Sequence, residues 1–181
     1  MTIIISAGHN PQKVGACNGD FCEYPVATDW IKEIHSLIEP IYPCIIVPTG
    51  TLTSKVTFIN SHPEAVVAVE LHFNSNVNAE GVEALHHPRS KNGKILAEMF
   101  CDGFEKRGLF LPNRGAKIGY YQMNPDKPID FFLRMTNPVA CILEPDFISQ
   151  KRRIVENKEE ACYAIANILI DFVTTTLKEK I

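Results

Sequence analysis

The chain carries no excess of positive charge, no long apolar run and no closely paired cysteine motif, and each absence removes a class of protein. In 181 residues, 18 Lys and Arg face 21 Asp and Glu, a net charge of −3. Nucleic-acid binders draw much of their affinity from neutralising phosphates, so no nucleic-acid partner is expected. No uninterrupted apolar stretch approaches the ~20 residues that cross a bilayer, so membrane insertion is not expected either. The six cysteines, at 17, 22, 44, 101, 141 and 162, include no Cys-x-x-Cys pair, and their spacing does not read as a disulfide framework. Cys101, Cys141 and Cys162 sit in apolar periodic segments, where free cysteine behaves as a small buried hydrophobe. All six are read as thiols, with a redox or metal role for the loop residues Cys17 and Cys22 as the lesser alternative. The opening Met-Thr-Ile-Ile-Ile-Ser-Ala-Gly-His has neither the basic region nor the long apolar stretch of a secretory signal. Synthesis in the cytoplasm is the expectation, and the segment reads as a first strand.

What is present is ordinary globular composition, 45% hydrophobic and 22% charged, enough for a sizeable core in one domain over 1–181. Strand-like and helix-like segments alternate, the pattern of a layered α/β domain. Strands are expected at Thr2–Ser6, Cys44–Val47, Ala65–Phe73, Val82–Leu85, Phe131–Met135 and Val139–Leu143. Helices are expected at Pro25–Ile38, at Thr53–Ser61 with Thr53 as cap, at Asn92–Arg107, and at Asn157–Leu177 with Asn157 and Glu160 as a capping box. Leu109–Asp130, rich in proline, glycine and tyrosine, reads as irregular.

Three strands run out into residues with chemistry. The first ends in Ser6-Ala-Gly-His9-Asn10, the third in Glu70-Leu-His72-Phe-Asn74, and the last in Ile142-Leu-Glu144-Pro-Asp. Ligands of open α/β sheets bind at the carboxyl ends of the strands, and Glu23 stands just ahead of the first helix. Two imidazoles and one carboxylate, His9, Glu23 and His72, match a catalytic zinc site, with three protein ligands and one position left for water. Zinc brings the pKa of bound water to about 7 and polarises a carbonyl. Glu144 would then serve as general base and acid for hydrolysis of an amide. No His-Glu-x-x-His segment supports this, so the signal is the joint placement.

The same segments resemble the zinc-dependent N-acetylmuramoyl-L-alanine amidases of the third class, phage endolysins especially. The matching stretches, in order, are Ser6-Ala-Gly-His-Asn with Gly15-Ala16 and Glu23; Glu70-Leu-His-Phe-Asn-Ser with Gly81-Val-Glu-Ala-Leu; Asn113-Arg-Gly-Ala-Lys117; and Pro138-Val-Ala-Cys-Ile-Leu-Glu-Pro-Asp-Phe-Ile-Ser. The resemblance implies a twisted, mostly parallel six-stranded sheet flanked by helices on both faces. It implies one zinc ion on His9, Glu23 and His72, with Glu144 catalytic. It also implies bacterial peptidoglycan as partner, cut between N-acetylmuramic acid and L-alanine after release from the host cytoplasm. A separate wall-binding domain is not expected. Position 70, a small hydroxyl residue in many relatives, is Glu here.

Other residues carry two readings each. Glu70 lies on the face of His72 and is read either as orienting that imidazole or as paired with a nearby Lys or Arg. Asn74 is a candidate substrate contact or the closing residue of an Asx turn. Arg114 is a candidate for a substrate carboxylate or a solvated loop arginine. His86 and His87 face opposite sides of a strand and are read as rim residues. Lys151-Arg-Arg153 reads as an exposed loop. Two further functions compete with the amidase: a zinc peptidase acting on the stem peptide, and a wall-binding module with a vestigial site.

Overall fold

The computed structural model describes residues 1–121 and 124–177. Its elements run β1 Thr2–Ala7, β2 Cys17–Asn18, β3 Phe21–Cys22, α1 Glu23–Ile38, β4 Cys44–Ile46, α2 Leu52–Asn60, β5 Ala65–Leu71, β6 Val82–His86, α3 Lys91–Lys106, β7 Asn113–Ile118, α4 Phe131–Met135, β8 Val139–Glu144, α5 Lys151–Glu156 and α6 Lys158–Asp171. A π-helical turn over Phe172–Leu177 follows. Six strands form one sheet in the order β4-β1-β5-β8-β6-β7. The first four are mutually parallel, β6 runs antiparallel to β8, and β7 is parallel to β6. The mostly parallel six-stranded α/β domain is therefore as expected.

Near-continuous apolar strands are those buried on both faces, and side chains alternate between the faces. Ile3 and Ile5 of β1, Val67 and Val69 of β5, and Cys141 and Leu143 of β8 join the larger core beneath α1, α3 and α6. Ile4, Ala68, Ala140 and Ile142 point the other way and pack with Val56 and Ile59 of α2 and Phe132 and Leu133 of α4. By the same alternation Ser6, Glu70, Glu83 and Glu144 belong to this second face. The chain from Lys158 to Leu177 is long and apolar enough to cross a membrane, but half of it is buried in the core.

Several local expectations are corrected. Phe131–Met135 is a short helix: a five-residue apolar run has no period of its own, and the Asp130 side chain accepts the Phe132 amide at 2.8 Å to start a helical turn. Leu109–Asp130 contains an edge strand, β7, half-exposed and mixed in polarity, which hid its alternation; its Gln122 and Met123 lie outside the described residues. Thr51 rather than Thr53 caps α2, accepting the Ser54 amide. The expected last helix is present from Lys158 and passes at Phe172 from α into the π-helical turn. Lys151–Glu156 forms α5 instead of a loop, and Asn157 between the two helices donates to the Arg153 carbonyl at 2.8 Å without capping α6. Cys17 and Cys22 face each other in the β2–β3 hairpin and form a disulfide, contrary to the reading of six thiols. Cys44, Cys101, Cys141 and Cys162 are buried thiols as expected, and burial pushes the Cys44 and Cys101 thiols up to about 12.

Candidate metal centre

His9, Glu23 and His72, brought together from three parts of the chain, offer ligand atoms that all lie within 4.8 Å of one another. His9 follows β1 at a φ of 62°, a left-handed conformation rare outside glycine and costing of order 1 kcal/mol or more. That turn aims the ring at Glu23, whose Oε2 is 2.9 Å from His9 Nε2. Glu23 is the first residue of α1 and 3% exposed. Its Oε1 accepts the Phe73 amide at 3.1 Å and sits 2.8 Å from His72 Nδ1. Its Oε2 accepts the Ala16 amide. His72 leaves the end of β5 with its own amide bonded to Leu143 O of β8 at 2.9 Å, so the ring emerges beside Glu144.

The backbone fits around these groups without slack. A Cβ on Gly15, held at a φ of 80°, would stand 2.4 Å from Glu23 Oε2 and 2.6 Å from the His9 ring. A Cβ on Gly8 would stand 2.4 Å from the His72 ring. Only glycine allows such an approach.

Charge follows the geometry. Burial works against ionising Glu23, but the His72 and His9 bonds outweigh it and bring its carboxyl down to about 2. Burial likewise opposes charge on His72, yet Glu23 and Glu70 together raise its imidazole well above the ordinary range. The cluster is thus built to hold a positive charge. Two imidazoles and a carboxylate are also a hard–borderline donor set suited to zinc, so the residues fit the metal that the resemblance implies.

Glu144 ends β8 with its Oε2 buried and without a hydrogen-bond partner. Burial, then the nearby Glu83 and Glu23 carboxylates, push it up to about 8 against the attraction of His72. Such a perturbed carboxyl beside a metal-ready cluster is what a proton-transferring group needs.

Glu70 fulfils both of its readings at once. Its Oε2 lies 3.1 Å from His72 Nε2 and its Oε1 lies 3.3 Å from Lys55 Nζ. Asn74 and Arg114, candidate substrate contacts, converge on Glu83: Asn74 Nδ2 donates at 2.8 Å and Arg114 Nε at 2.6 Å, with Lys117 Nζ also at 2.6 Å. Arg114 also stacks over the Phe147 ring. Glu83 and Lys55 are given no role of their own by sequence reasoning. The one signal for Glu83 was a carboxylate set inside the apolar strand Val82-Glu-Ala-Leu. His86 is buried, with Nδ1 against the His87 carbonyl, and neither histidine joins the cluster. A cleft of about 600 Å³ opens over His9, Glu70 and His72, walled by Lys13, Leu52, Tyr121 and Asp130.

Fold and site together define a single α/β domain with three candidate metal donors gathered at the carboxyl edge of its sheet, near a buried carboxyl, Glu144, whose pKa is raised. A family model for N-acetylmuramoyl-L-alanine amidase matches residues 3–170, and the chain belongs to that family of peptidoglycan amidases. Among solved structures it is similar to the catalytic domain of CwlV, an N-acetylmuramoyl-L-alanine amidase from Bacillus (Paenibacillus) polymyxa var. colistinus (TM-score 0.76, 19% identity, 98% of each chain covered). It is similar to the CwlD amidase from Clostridioides difficile, solved with the GerS lipoprotein (TM-score 0.75, 18% identity, 98% of each chain). It is also similar to the catalytic domain of the CD27L endolysin targeting Clostridia difficile (TM-score 0.70, 23% identity, 96% of this chain and 97% of that one). At these identities the structures share the fold. No curated protein sequence matches.

Proposed function

We propose that this chain is a zinc-dependent amidase that hydrolyses the bond between N-acetylmuramic acid and L-alanine in peptidoglycan, and so lyses bacterial walls as endolysins do. The observation that carries this reading is the convergence of His9, Glu23 and His72 near Glu144, whose Oε2 is buried without a hydrogen-bond partner. A zinc ion held by those three side chains supplies Lewis acidity toward the scissile carbonyl and a water of lowered pKa. Glu144 Oε2 takes the proton of the attacking water and passes it to the departing L-alanine amine. With zinc bound, His72 would keep donating Nε2–H to Glu70 and would give up its Nδ1 proton to become a ligand beside Glu23. Glu83 holds the Arg114 guanidinium, which stays about one-third exposed and is the candidate for a stem-peptide carboxylate; Asn74, bonded to the same Glu83, is the second candidate substrate contact.

The test is mass spectrometry of digested peptidoglycan. Peptides that begin with L-alanine, beside peptide-free muramic acid, are the expected products. Shortened peptides still attached to sugar would replace this reading by a stem-peptide peptidase, and bound but undigested walls would replace it by a binding module.

A further inference from the structure

We propose that Lys55 is the positioning residue of the metal centre, tying its two histidines together through one buried ammonium. The inference rests on the reading of His9, Glu23 and His72 as metal ligands. Lys55 lies in α2, far in sequence from either histidine, and its side chain is 4% exposed. An ammonium removed from water needs acceptors and a counter-charge. Its three hydrogens have three acceptors: the Ala7 carbonyl, the His9 carbonyl at 2.7 Å, and Glu70 Oε1 at 3.3 Å.

The first two acceptors flank Gly8. The ammonium therefore grips the turn on which His9 adopts its left-handed backbone, and offsets the strain of that conformation. The third acceptor belongs to the carboxylate whose other oxygen meets His72 Nε2 at 3.1 Å. Ser6 Oγ donates to the same Glu70 Oε1 and steadies it. One connected path, His9 carbonyl to Lys55 to Glu70 to His72 ring, thus links ligands carried by β1 and β5. The Lys55 ammonium bonds to carbonyls and a carboxylate and to neither imidazole, although the residue lines the cleft. Its effect is to hold both rings in register before a metal arrives. Outer partners of ligating histidines are commonly worth ~10–100-fold in metal affinity.

Zinc titration of the metal-free full chain against a chelating dye tests this, using the wild type, Lys55→Met, Glu70→Gln, Lys55→Met/Glu70→Gln, Lys55→Arg and His72→Ala. Lys55→Met and Glu70→Gln are each expected to weaken zinc at least ~10-fold. The double variant is expected to lose no more than the worse single change, since both break one path, and Lys55→Arg to recover most of the affinity. Zinc affinity of Lys55→Met within about threefold of wild type, or losses that multiply in the double variant, would overturn the assignment. Should a single variant leave a lone buried charge and not fold, the double variant removes both charges. Its zinc affinity, tenfold weaker or unchanged, then decides in the same sense. If His72→Ala binds zinc as well as the wild type, the metal reading itself fails, and that outcome is separate from failure of the Lys55 path.

Discussion

Glu83 and Glu144 stand directly opposite one another across the antiparallel pair β6–β8. Like charges at facing positions of a sheet repel, and both side chains belong to the face that looks toward the metal centre. The repulsion is resolved unequally. Arg114 and Lys117 keep Glu83 ionised against its burial, holding its carboxyl below the ordinary range. Glu144, whose burial outweighs the attraction of His72, is the one that gains a proton easily. A pair of carboxyls pushed apart in this way leaves Glu83 held as an anion and Glu144 able to take up a proton.

Replacing Glu83 by Gln removes a negative neighbour and lowers the pKa of Glu144. On the proposed mechanism Glu144 acts as a base in its ionised form, so the acid limb of the kcat/KM profile should move to lower pH. The same change leaves Arg114 and Lys117 without their acceptor, and denaturant unfolding should show a loss of about 1–3 kcal/mol. An unmoved acid limb would separate Glu83 from the tuning of Glu144.

Glu144→Gln keeps the size of the side chain and removes its basicity. Zinc content and unfolding midpoint are expected to stay at wild-type values while wall hydrolysis falls by about 10²–10⁴. Turbidity clearing by this variant at the wild-type rate would take Glu144 out of the chemistry.

The metal-free site has its own pH signature. Glu23, lowered to about 2, contributes stability that is full above its unfolded value of 4.5 and is lost as pH falls from there toward 2. His72, raised above 6.5, contributes stability that is full below that value and is lost as pH rises through its folded value. Thermal scans without metal should therefore show this cluster most stabilising from about 4.5 to 6.5. Zinc replaces the proton on His72, so its binding near pH 7 should release protons. Calorimetry in buffers of different ionisation enthalpy measures that release directly.

Gly15→Ala would force a methyl group to within 2.4 Å of Glu23 Oε2 in a backbone conformation, φ 80°, that alanine resists. Expected are a stability loss of order 1–3 kcal/mol and a zinc affinity reduced at least ~10-fold. Chelator competition and denaturant unfolding report the two effects separately.

The residues that could be read from the sequence were those whose neighbours in the chain announce them. His9, His72 and Glu144 each follow a continuous apolar strand, and Glu23 precedes an amphipathic helix, so their arrival at one sheet edge followed from topology alone. Glu83 is different. Its importance depends on β6 running antiparallel to β8, which sets it against Glu144, and no local pattern states strand direction. Lys55 sits on the buried side of a short helix and acquires meaning only through two carbonyls 46 and 48 residues away. β7 was hidden because an edge strand exposes half its side chains, and Gly115 interrupts it at a φ of 81°. The Cys17–Cys22 bond was missed because the hairpin that pairs those residues is two residues long on each side, below the length at which alternation can be seen.

Metal analysis of the purified chain tests the central claim most directly. One zinc per chain is expected for the wild type and none for His72→Ala or Glu23→Gln, with wall hydrolysis lost on chelation and restored by zinc. Equal zinc in wild type and His72→Ala, or full hydrolysis by a chain stripped of metal, would contradict it.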